Sequence, residues 1–125
     1  RMGRVRAADT KPEMAVRRLV HSLGYRYRLH VSGLPGRPDL VFSKRRKVIF
    51  VHGCFWHRHP GCKLARLPKS KLEFWVPKLE RNTARDTENL HRLAALGWDA
   101  LVVWECEVSR LPDHVEQITT FLGPR

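Results

Sequence analysis

Apolar residues recur along this chain with two different periods, and the change of period marks the elements. In DTKPEMAVRRLVHSLGY, residues 9–25, Met14, Val16, Leu19, Val20 and Leu23 fall on one helical stripe. Thr10 at its start, Pro12 in the first turn and Glu13 three residues after Thr10 form a capping-box entry signature. Gly24 stops the helix. Residues 25–31, YRYRLHV, alternate with period two and predict a strand with one solvated face. After the turn LPGRP come two short apolar runs, DLVF (39–42) and KVIFV (47–51), joined across residues 43–46. Their continuous apolar character predicts strands buried on both faces. A second long helix is expected over about residues 76–96, with Leu79, Leu90, Leu93, Ala94 and Leu96 inward and Gly97 as its stop. WDALVVW, residues 98–104, predicts a further buried strand, and residues 112–122 a last helix. The order helix, strands, helix, strand, helix predicts an α/β fold with a mixed central β-sheet flanked by helices.

Length and composition narrow the class. A chain of 125 residues suits one domain, residues 1–125, with residues 1–8 expected to be a flexible basic arm. No run approaches the ~18 apolar residues of a membrane span, and the start RMGRVRAADT lacks the apolar centre of a signal peptide. No membrane role and a cytoplasmic location are therefore expected.

Charge adds the partner. The chain carries 24 Lys and Arg against 12 Asp and Glu, a net +12, spread along its length rather than gathered in a tail. That pattern predicts a folded basic face that takes a polyanion, since each neutralised phosphate releases condensed counterions. Three cysteines in a chain without an export signal point to metal binding or buried thiols rather than to disulfides.

The chemistry concentrates where the second strand ends. VIFVHGCFWHRHPGC, residues 48–62, runs from a buried strand into two Cys, three His and a Trp. Antiparallel pairing across the turn at 43–46 sets Asp39 opposite a residue between 50 and 52 and so beside His52. A carboxylate at the mouth of a buried strand is costly unless paired or metal-bound. A carboxylate in a +12 chain is how phosphodiester-cleaving sites hold Mg²⁺, although Asp39 after Pro38 also suits a plain turn. Cys54, Cys62, one nearby His and the distant Cys106 would complete a tetrahedral Cys3His zinc site. Either His52 or His57 can then take a proton from water near neutral pH.

Taken in order from about residue 9 to 107, TKPE, LPGRPDLVF, VIFVHGCFWHRHPGC, LEFWVPKLERNTARD and LGWDALVVWEC resemble the very short patch repair endonucleases. The resemblance implies a restriction-endonuclease-like core related to the PD-(D/E)xK nucleases, here without an E-x-K. It also implies a DNA repair activity that nicks one strand 5′ of the thymine in a T:G mismatch left by deamination of 5-methylcytosine. Double-stranded DNA with a mismatch, mismatch-repair proteins and a cytosine methyltransferase would be its partners, and a monomer is expected. Carried over by position, Asp39 and the backbone carbonyl of Val51, where Thr is common, would hold one or two Mg²⁺. His52, His57 and Glu13 would be active-site residues, and Cys54, His59, Cys62 and Cys106 would hold structural Zn²⁺. Phe55, Trp56 and Trp75 would form an aromatic wedge, with phosphate contacts from Lys78, Arg81, Asn82 and Arg85. Two alternatives stay open: a nuclease of the same fold with a different mismatch or restriction-type site preference, and a zinc-stabilised DNA-binding module without catalysis.

Overall fold

Thr10 Oγ1 accepts the amide of Glu13 at 3.3 Å and starts α1, Lys11–Ser22, in a computed structural model that describes residues 10–125. The arm expected over residues 1–8 lies outside the described residues. Val16 and Val20, four apart on α1, are fully buried, so the apolar stripe faces the core as its spacing requires.

The alternating stretch 25–31 does not form the expected strand. Arg28 alone exchanges both backbone hydrogen bonds with Val41, at 2.9 and 3.0 Å, as an isolated antiparallel bridge. His30 then turns the chain away through a left-handed φ of 55°. Tyr25 is buried and Tyr27 packs against the same core, so the alternation reports which side chains face inward, not a ladder.

Three strands make the sheet: β1 Leu40–Phe42, β2 Lys47–His52 and β3 Asp99–Trp104. β2 lies between the others, antiparallel to β1 (Leu40↔Ile49, Val41↔Val48) and parallel to β3 (Val51↔Val103, His52↔Trp104). The sheet is therefore mixed, as expected. Leu40, Phe42, Ile49 and Val103 face one core with Val16 and Val20 of α1. Val41, Val48 and Phe50 face the other, with Leu93 from the second long helix. Continuous apolar runs in β1 and β2 follow from this burial on both sides. β3 departs from expectation: it is an edge strand with Val103 buried, Leu101 and Val102 partly covered and Asp99 exposed.

That second helix, α2, spans Leu72–Ala95 and begins four residues before the expected start at 76. Pro77 sits inside the helix, where the bond to the carbonyl four residues back is missing. The added turn carries Phe74 and Trp75, and Trp75 packs edge-on to Phe55 with ring centres 5.5 Å apart. The expected last helix is also divided. Residues Glu105–His114 form 3₁₀ turns broken at Arg110, and only then does α3, Val115–Leu122, begin. Ile118 and Leu122 return α3 to the α1 core, and Arg45 Nη1 and Lys47 Nζ of the β1–β2 hairpin bond the carbonyls of Leu122 and Phe121 at its negative end.

The turn that delivers Asp39 depends on one glycine. Gly36 has φ of +81°, and a methyl group there would lie 3.1 Å from the Phe50 ring and 3.2 Å from Asn89. Gly33, at φ +91°, has nothing within 4 Å. Both alanine variants carry the left-handed strain, but only Gly36→Ala also crowds the packing between turn, sheet and α2. We expect Gly36→Ala to cost about 1–3 kcal/mol more than Gly33→Ala, read as a melting temperature lower by several degrees in circular dichroism.

Candidate active site and metal centre

The ends of β1 and β2, the start of α1 and the middle of α2 converge on a cavity of about 850 Å³. Asp39, the residue before β1, carries its carboxylate to the next strand: Oδ2 accepts the Val51 amide at 2.6 Å. Extending the register by one residue sets Asp39 across from Phe50, within the expected range of 50 to 52. Its side chain meets Val51 rather than His52, and Asp39, Val51 and His52 all line the cavity. Burial pushes the Asp39 carboxyl up from 3.8 to about 7. The Val51 amide opposes that rise, the Glu13 carboxylate adds to it through its charge and a hydrogen bond, and Arg17 opposes it. Glu13 therefore has two positions at once, next to the Thr10 cap and facing Asp39, with Arg17 Nη2 3.3 Å from its Oε2.

His52 ends β2 and is 8% exposed. Its ring lies parallel to that of His57, with centres 3.8 Å apart and planes 8° from coplanar. Burial, and then the neighbouring His57, push the His52 imidazole down from 6.5 to about 4, against a pull upward from Asp86. His52 is thus neutral at physiological pH. His57 Nδ1 lies 2.6 Å from Asp86 Oδ2. A carboxylate accepts only, so Nδ1 carries a proton, and in the neutral ring Nε2 presents a lone pair. This is the arrangement of an oriented general base.

Asp86 is the residue that sequence reasoning missed. It lies within the quoted run LEFWVPKLERNTARD, and a signal was available: Asn82, Asp86 and Asn89 recur at i, i+4 and i+7, a polar stripe on one face of α2. All three line the cavity. Glu105 was missed as well; its Oε1 accepts the Cys54 amide at 3.2 Å and ties the reactive loop to the end of β3.

Behind that loop Cys54, His59, Cys62 and Cys106 come together, with ligand atoms all within 4.8 Å of one another. His59 Nδ1 lies 3.6 Å from Cys54 Sγ and 3.3 Å from Cys106 Sγ, and the His59 ring stacks on Trp104 at 4.2 Å. All three thiols are free. Burial pushes the Cys54 thiol up to about 12, so a divalent cation is what would deprotonate it. Three sulfurs and one imidazole nitrogen form a soft donor set that can hold a metal with no position left open. His52, His57 and Asp86 are also within 4.8 Å of one another, which ring stacking and the His57–Asp86 hydrogen bond account for without an ion.

The rim is aromatic and basic. Phe55 and Trp56 line the cavity and meet edge-on at 5.2 Å, and Trp75 lies 5.5 Å from Phe55 and 5.9 Å from Trp56. Lys78 Nζ sits 5.9 Å from the Trp56 ring centre. Of the phosphate-contact residues expected on α2, Asn82 turns into the cavity while Arg81 and Arg85 are exposed. No helix among the described residues is long and apolar enough to cross a membrane.

The chain is similar to known proteins over most of its length. Residues 1–63 match the family described as DNA mismatch endonuclease Vsr. The chain is 54% identical to the type II nicking enzyme V.XorIIP of Xanthomonas oryzae pv. oryzae over 98% of its own length and 90% of that protein. It is 41% identical to the type II nicking enzyme V.NmeAIP of Neisseria meningitidis, over 86% of this chain and 76% of that one. With the DNA mismatch endonuclease Vsr of Escherichia coli K12 the identity is 43%, over 84% of this chain and 67% of that protein. Matches of this extent, over a chain whose Asp39, His52 and His57 share one cavity, establish that it belongs to the Vsr family of DNA endonucleases.

Proposed function

We propose that this endonuclease nicks one strand of a duplex on the 5′ side of the thymine in a T:G mismatch, the product of 5-methylcytosine deamination, and so starts very short patch repair. The observation that carries the reading is the His57–Asp86 pair, 2.6 Å apart, opening on the same cavity as Asp39. The core is of the restriction-endonuclease-like kind. The protein acts as a monomer in the cytoplasm, upstream of mismatch-repair proteins and alongside a cytosine methyltransferase.

Asp39 and the carbonyl of Val51 are the residues that would hold Mg²⁺. The metal, when bound, supplies charge to polarise the scissile phosphate and stabilise the leaving 3′ oxygen. Nε2 of His57 takes the proton of the attacking water while Asp86 fixes the ring and its tautomer. His52, neutral and stacked against His57, keeps a second positive charge out of the site. Glu13 faces Asp39 from α1 and helps to position it. Cys54, His59, Cys62 and Cys106 would hold Zn²⁺, which would keep the loop of residues 53–62 against the end of β3. Phe55, Trp56 and Trp75 enter the base stack, which costs less at a mismatched step, and Lys78, Arg81, Asn82 and Arg85 meet phosphates. A DNA-binding module without catalysis would have no use for the His57–Asp86 pair. The type II nicking enzymes among the relatives favour a second reading, in which sequence context as much as the mismatch directs the nick.

Incubated with Mg²⁺ and T:G, other mismatched and matched duplexes, the protein should nick one strand with preference for T:G. Asp39→Ala should abolish nicking. Asp86→Asn should bind the duplex normally but nick about 10²- to 10⁴-fold more slowly in single turnover. Equal cutting of matched and T:G duplexes that share a site would establish the second reading instead.

The raised Asp39 carboxyl gives a pH test. Its value of about 7 in the fold lies above 3.8 in the free chain, so its contribution to stability is full below about pH 4 and is lost as pH rises through 7. Asp39→Asn should therefore raise the melting temperature at pH 8 and leave it nearly unchanged at pH 4. Added Mg²⁺ at pH 8 should stabilise the native protein and not the variant.

Elemental analysis should find a single equivalent of zinc per chain. Cys106→Ser should lose that zinc and lower the melting temperature, whereas Asp39→Ala should retain it.

A further inference from the structure

Exposed apolar side chains are concentrated in one stretch of the sequence. Among the described residues the large exposed hydrophobics are Leu64, Leu67, Leu72, Phe74 and Leu96, and all but Leu96 lie between residues 64 and 74. Phe74, 55% exposed, is the most open of them. It is not an isolated ring: it meets Trp75 edge-on at 5.0 Å, and Trp75 touches Phe55 and Trp56 on the cavity wall. Leu64, 51% exposed, lines that cavity too. An aromatic path thus runs from the candidate active site to an open ring on the surface.

The charges beside this path indicate what covers it. Lys63, Arg66, Lys69 and Lys71 are all exposed, against a single acid, Glu73, in residues 63–74. Lys78 Nζ lies 5.6 Å from the Phe74 ring centre as well as 5.9 Å from that of Trp56. Lysine is depleted in protein–protein interfaces, so a basic border argues against a protein partner. A partner that is polyanionic at its edge and flat and apolar on its faces is nucleic acid with unstacked bases.

We propose that Phe74, edge-on to Trp75, is a nucleobase-stacking surface beside the cavity, so that the apolar grip on opened DNA extends beyond Phe55, Trp56 and Trp75. The inference rests on the reading that the rings at the cavity open the duplex. Base–aromatic stacking of this kind is sequence-tolerant and additive to phosphate contacts.

The test uses the full chain and T:G duplexes carrying 2-aminopurine at successive positions around the mismatch. Emission should rise at a position beside the mismatch with native protein, and Phe74→Ala should lose that rise and bind about 10-fold more weakly. The slope of log K against log salt should stay the same, because no phosphate contact is removed. Phe74→Trp should restore both signals, and the melting temperature of Phe74→Ala should match the native value, since the ring is exposed. Native binding and emission in Phe74→Ala at every position would overturn the proposal. Should Trp56→Ala and Trp75→Ala leave the emission unchanged while Phe74→Ala alters it, the wedge reading fails and the Phe74 surface stands. A dimer of the free protein, seen by sedimentation and dissolved by Phe74→Ala, would make the surface a self-association face and overturn the proposal.

Discussion

Asp39 Oδ2 takes the Val51 amide at 2.6 Å, and this bond across two strand ends is the constraint on which the site depends. It uses a backbone donor just where the β1–β2 ladder stops, and it holds the carboxylate at the open end of the central strand. Burial there makes ionisation unfavourable, so a cation that binds the group displaces a proton and supplies the charge that burial withholds. Everything reactive then follows within a few residues: His52 closes β2, Gly53 releases the chain, and His57 folds back so that its ring lies flat on His52.

The loop of residues 53–62 has neither strand nor α-helix, so its position must be fixed from outside. Three contacts do that. Glu105 receives the Cys54 amide, the Cys3His group gathers Cys54, His59 and Cys62 onto Cys106, and Trp104 stacks on His59. All three come from the end of β3, which lies parallel to β2 and therefore finishes at the same edge of the sheet. A parallel neighbour is what brings Trp104, Glu105 and Cys106 to the place where β2 releases its loop. Asp86 supplies the fourth support, from α2 on the other side, and acts directly on the group that would move the proton.

Local signals carried much of this. The Thr10 cap, the two-faced burial of β1 and β2, the run of Cys54, His59 and Cys62 and the acid at the strand mouth all depend on residues close in sequence or on a single hairpin. What escaped depends on tertiary packing. Asp86 is one carboxylate in a charged helix, and only the approach of His57, 29 positions away in sequence, gives it a role. The first turn of α2 escaped because what holds it, the contact of Trp75 with Phe55, is tertiary. The alternation at 25–31 was correct about which tyrosines face the core and silent about backbone pairing, which a single left-handed residue ended. β3 reads as apolar as β2, yet among the described residues only β2 has a strand on each side.

Proton NMR of the seven histidine rings during titration with Mn²⁺ tests most directly whether Asp39 holds the cation beside the paired imidazoles. The account predicts that the His52 and His57 signals broaden first and most, that His114, which does not line the cavity, is little affected, and that Asp39→Asn removes the selectivity. Broadening spread evenly over the rings, or undiminished at His52 and His57 in Asp39→Asn, would contradict it.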